Sequence, residues 1–79
     1  MTLVYVVFRW RDYRKENNAE ILGVYYKYET AKTAIHKFAT DFLNQSQHGK
    51  IEQGLDFYNV IFNNDWYVFE IMKMPIIED

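Results

Sequence analysis

The sequence contains no cysteine, a single proline and three glycines among 79 residues. Without cysteine, neither disulfide stapling nor a cysteine-based zinc site is open to it. So little glycine and proline excludes a low-complexity chain. A composition 49% hydrophobic and 25% charged excludes a disordered tail. No apolar run reaches the roughly 20 residues needed to cross a bilayer. The opening stretch MTLVYVVFRWRD is broken by Arg9 and lacks the basic start and small-residue cleavage site of a signal peptide. A net charge of −2 and an isoelectric point near 5.6 supply no overall field for nucleic acid or anionic lipid. The expectation is a soluble intracellular domain in the cytoplasm, with no membrane association, no cofactor and no metal.

What is abundant is aromatic side chains: six Phe, seven Tyr and two Trp. A chain this short buries only about 60–65% of its unfolded surface, so its core is thin. Dense aromatic packing and self-association are the routes left to stability.

Leu3 to Trp10 is rich in β-branched and aromatic residues and predicts a strand. Polar residues 11–18 end in the turn-forming pair Asn17-Asn18. Glu20 to Lys27 predicts the returning strand of an antiparallel hairpin, with Gly23 marking a bulge or a close contact. Ala31, Ala34, Ile35, Phe38, Ala39, Phe42 and Leu43 follow the spacing of one helical face. Thr30 is the expected N-cap. Lys32, His36, Lys37, Thr40 and Asp41 form the solvent side. A polar loop follows over about 45–56, with room for a short helical turn at Lys50 to Gln53. Phe57 to Phe62 and Trp66 to Met74 predict two more strands around an Asn63-Asn64-Asp65 turn. Pro75 ends the last strand, and 76–79 form a frayed tail. The fold class is therefore α+β: one domain over 1–79, with two layers, a four-stranded antiparallel sheet in ββαββ order and one amphipathic helix on one face.

One helix covers one face of such a sheet, yet the first and last strands are apolar on both sides. A second apolar face of that extent marks a partner or ligand site. Aromatic residues and methionine are the types enriched at interface cores. The candidate protein interface is Tyr5, Trp10, Trp66, Val68, Met72 and Met74. Its expected occupant is a second copy of the chain, since cyclic dimers are the commonest assembly, with a different protein or the chain's own loop as the alternatives.

The run Arg9-Trp10-Arg11-Asp12-Tyr13-Arg14-Lys15 is the one local basic cluster. Arg9, Arg11, Arg14 and Lys15 suit phosphates, and Trp10 and Tyr13 suit stacking on bases, as in single-strand binders. Against nucleic acid stand the acidic whole and the missing Gly-aromatic signature of RNA-binding sheets, so a solvated hairpin tip is the simpler reading. His36 and His48 have no neighbouring nucleophile or spaced carboxylate pair, which leaves them as ordinary surface histidines. Glu70 stands in an apolar strand, either as a buried acid or as a gatekeeper charge on an edge strand, with Arg9 a possible cross-strand partner. No residue pattern assigns a catalytic role.

Val4-Tyr5-Val6-Val7, Ile21-Leu22-Gly23-Val24-Tyr25 and Glu29-Thr30-Ala31-Lys32-Thr33-Ala34-Ile35 together form a strand, a returning strand and a helix start. This arrangement resembles small uncharacterised ββα-type accessory proteins of phages and large DNA viruses. The richness in Asn, Lys, Ile and Tyr is similar to proteins of AT-rich viral genomes. The likeness runs over the N-terminal half and brings no catalytic residue with it. It implies a virus-encoded accessory protein, in the host cytoplasm, that binds or inhibits a host protein. Three functional readings follow: a non-enzymatic protein-interaction module, a small nucleic-acid-binding protein using residues 9–15, and a dimeric enzyme or ligand binder with a sheet cavity.

Overall fold

The computed structural model describes residues 2–11, 19–45, 49–62 and 65–77. Thr2–Arg11 (β1) and Glu20–Tyr25 (β2) pair antiparallel, and Tyr28–Leu43 forms the helix α1. Lys50–Gln53 (β3), Phe57–Phe62 (β4) and Asp65–Ile76 (β5) complete the chain. The strands make one antiparallel sheet of five, in the order β2-β1-β5-β4-β3. The α+β class and the helix-on-sheet layering follow the expectation, but the sheet has five strands, not four.

The additional strand is β3, where a loop or helical turn was expected. Its sequence, KIEQ, carries a single apolar residue, so no periodicity announces it. Ile51 lies opposite Val60 and packs against the core, and that tertiary pairing makes an edge strand of a polar segment. The last strand also runs past Pro75, which pairs with Leu3, to Ile76, which pairs with Thr2. Beyond Glu70 β5 has β1 alone as its described neighbour, because the β4 pairing begins at Phe57. With one side of the strand open there, a missing N–H is tolerated. Ile76 therefore belongs to the sheet rather than to a frayed end; Asn17-Asn18, Asn63-Asn64 and 78–79 lie outside the described residues.

The order places β1 and β5, each apolar on both faces, inside the sheet. Each lies between two other strands, and α1 leaves from the β2 edge and returns to the β3 edge, spanning one face of the sheet. Ala31, Ile35 and Ala39, four residues apart, are fully buried against Val7, Val60 and Phe69. The two alanines let the helix backbone approach the strands closely, and Phe38 and Phe42 flank that stripe. Full burial of Ile35, Val7, Val60 and Phe69 contributes about 1.5–3 kcal/mol each relative to exposure.

The helix begins earlier than the Thr30 cap predicts. Lys27 is the N-cap residue, with extended backbone and no capping side chain, and Ala31 N–H donates to its carbonyl at 3.1 Å. Tyr28 is thereby inside the first turn, where its ring meets Tyr5 edge-on at 5.6 Å and its hydroxyl meets Asp56. Those contacts replace a side-chain cap as the reason for starting there, and Glu29 in the first turn suits the helix dipole.

Candidate functional site

Successive side chains on a strand point to opposite faces, so the register sorts the sheet into two surfaces. Tyr5, Val7 and Arg9 of β1 and Tyr67, Phe69, Ile71 and Lys73 of β5 take the helix side. Val4, Val6, Phe8 and Trp10 stand opposite Met74, Met72, Glu70 and Val68 on the open side. On β4, Phe57, Asn59 and Ile61 continue that open side. Among the described residues of β1, β2 and β5, Glu70 is the one charged side chain that the register places there.

The register of β2 slips between Val7 and Phe8, which pair with Gly23 and Ile21. Leu22 is the additional residue of this bulge, and it changes the parity of the strand. Strict alternation separates Ile21 from Val24; the bulge puts both on the open face, while Leu22 and Tyr25 pack toward the core. Ile21 and Val24 are 61% and 55% exposed. With Met74 and Ile76 of β5 they wall a groove of about 330 Å³ whose floor includes the buried Val4 and Val6.

Of the interface residues expected from sequence, Trp10, Trp66, Val68, Met72 and Met74 come together on the open face. Tyr5 does not: it faces the helix against Tyr28. Trp10 and Val68 are already buried within the chain, with Trp10 stacked on Phe8 at 5.3 Å, whereas Trp66, Met72 and Met74 are exposed. Sequence reasoning missed Ile21, Val24, Phe57 and Ile76 as members of this face. For the first two, Gly23 was the available signal.

The basic cluster does not form one patch in its described part. Arg9 pairs with Glu20 and lies over the Phe42 ring at 5.3 Å, on the helix side, while Trp10 points the other way. Arg11 pairs with Asp65 at 3.4 Å. Tyr13, Arg14 and Lys15 lie outside the described residues, as does His48. Glu70 is no edge gatekeeper, because β5 is the central strand, and it does not reach Arg9, whose register partner is Phe69 on the opposite face.

The polar groups that do converge tie α1 to the turn before β4. Tyr28 Oη donates to Asp56, Lys32 Nζ donates to the Leu55 carbonyl, and His36 Nδ1 lies 3.0 Å from Tyr58 Oη. Asp56 in turn accepts from Ile71 N–H through its backbone carbonyl at 2.8 Å, so the turn is held by both helix and sheet. The Asp56 hydrogen bond, helped by burial and by the negative charge of Asp56, pushes the Tyr28 phenol up from 10 to about 12. The folded state then holds the Tyr28 proton more tightly than the unfolded state does. This contribution to stability is whole below pH 10 and is lost as pH rises from there through about 12. An ultraviolet phenolate titration of the wild type should show a tyrosine near pH 12 that Tyr28→Phe removes. Superimposable final segments from the two proteins would count against the Asp56 bond.

Among the described residues no three His, Asp or Glu side chains gather as a metal site would require, and no helix is long and apolar enough to cross a membrane. The polar cluster thus offers a clasp between elements, and the extended apolar feature of the molecule is the open sheet face. No family model, curated protein or solved structure matches the chain.

Proposed function

We propose that the chain is a non-enzymatic protein-interaction module whose working surface is the open face of its sheet. The observation that carries this reading is the distribution of apolar side chains. After the helix has taken one face, Ile21, Val24, Phe57, Trp66, Met72 and Met74 remain exposed on the other. An apolar surface spread over three strands costs solubility unless something binds it. The ion pairs of Arg9 with Glu20 and Arg11 with Asp65 remove support from the nucleic-acid reading, since half of the proposed phosphate contacts are already neutralised. The N-terminal resemblance to phage and large-virus accessory proteins supports a role exerted on a host protein.

Affinity capture with quantitative mass spectrometry tests the reading, with the wild type, Met74→Glu and Lys37→Glu as baits. Met74 lies on the open face, and Lys37 is exposed on the helix. A protein partner, self or other, should survive Lys37→Glu and fall at least about tenfold with Met74→Glu, the effect of placing a charge in an apolar contact. Binding that is indifferent to Met74→Glu overturns the proposal.

A further inference from the structure

We infer that the occupant of the open face is a second copy of this chain, docked face to face, with the β5 ridge of each copy seated in the β1 groove of the other. This rests on the docking-face reading above and names its partner. The ridge is Met72, Met74 and Ile76, each close to 40% exposed. The groove is its neighbour on the same face, floored by Val4 and Val6 and walled on the far side by Ile21 and Val24.

Ridge and groove follow adjacent strands, β5 and β1. A two-fold axis running along the strands between them carries each ridge onto the partner's groove. The face is therefore complementary to itself, which a surface evolved for an unrelated partner need not be. Met74 of one copy then meets Val4 and Val24 of the other, and the reverse contact forms at the same time. Glu70, opposite Phe8 in register, does not line the groove.

The dimensions agree with a stable pair. The molecule extends 46 × 26 × 18 Å, so its broad side spans at most about 1,200 Å² and has room for an interface of ordinary size. A standard interface takes about 800 Å² from each partner. Over β2, β1 and β5 Glu70 is the one charged side chain on this face, while Lys50 and Glu52 stand at its far β3 edge, and aromatic and methionine side chains without charge are what interface cores select.

Light scattering after size exclusion, over a dilution series, reads the state directly. The wild type should run at twice the 9.6 kDa chain mass. Met74→Glu and Val24→Lys should each raise the dimer dissociation constant at least about 100-fold, because a two-fold interface meets every substitution twice. Both positions are exposed in the single chain, so circular dichroism should stay native. Mixing the two variants should restore a dimer, since one Glu then faces one Lys across the groove. A wild type that stays at 9.6 kDa at millimolar concentration overturns the inference. Failure of the mixture to reassociate overturns the ridge-in-groove pairing. A monomeric wild type whose Met74→Glu variant still loses a different captured protein removes self-association and leaves the docking-face reading standing. If no binding depends on the face, both fall.

Discussion

Phe69→Ala should lower the unfolding free energy by about 3–5 kcal/mol, the cost of emptying an aromatic site in a packed core. Phe69 is 1% exposed, lies in the central strand and meets Phe42 edge-on at 5.6 Å. Both layers of the molecule close over it, so little relaxation is available to fill the space. A domain of this length carries about 4–12 kcal/mol in all, so the variant is expected to lose at least about a quarter of its stability. Urea unfolding followed by circular dichroism measures the loss, with Phe69→Leu as the milder reference. A loss below about 1 kcal/mol for the alanine variant would mean that the helix does not pack over β5.

The part of the fold that Phe69 anchors was legible because its signals are periodic. The helix showed itself through Ala31, Ile35 and Ala39, and those three residues are fully buried. The strands β1, β4 and β5 were legible as apolar runs, and β1 and β5, apolar on both sides, lie inside the sheet. What escaped were features fixed by distant contacts. Glu52 and Gln53 belong to a strand because Asn59 and Tyr58 stand opposite, not because of anything local. Tyr28 starts the helix because Asp56 and Tyr5 hold it, which overrides the capping preference of Thr30.

The candidate face was legible in composition but not in membership. Parity along a strand is a reliable guide until one residue is inserted, and the bulge at Leu22 moves Ile21 and Val24 to one side together. Tyr5 failed for the opposite reason. An aromatic in an apolar strand reads the same whether it meets a helix or a partner, and here it meets Tyr28. Glu70 shows that a charge in a strand need not mean an edge: β5 is central, and the carboxylate stands on a face with no helix over it.

The two tryptophans make the distinction between core and interface measurable. Sequence composition puts both in the interface, where replacement weakens association. The structure separates them: Trp10 is 8% exposed, stacked on Phe8 and opposite the buried Val68, whereas Trp66 is 37% exposed beside Ile61. Trp10→Ala should therefore act first on folding, at about 3–5 kcal/mol. In a domain of this size that corresponds to a fall in Tm of about 15–30 °C. Trp66→Ala should lower Tm by less than about 8 °C, in keeping with a side chain that keeps much of its surface in water. Any loss of association in Trp10→Ala should then follow its unfolding and disappear when the variant is assayed well below its own Tm. Differential scanning calorimetry and light scattering on the same samples decide the matter. If Trp10→Ala kept its Tm yet abolished association, the indole would have to be lying on the surface and not between Phe8 and Val68. The open face would then be larger by one tryptophan, and the core of β1 smaller by the same group.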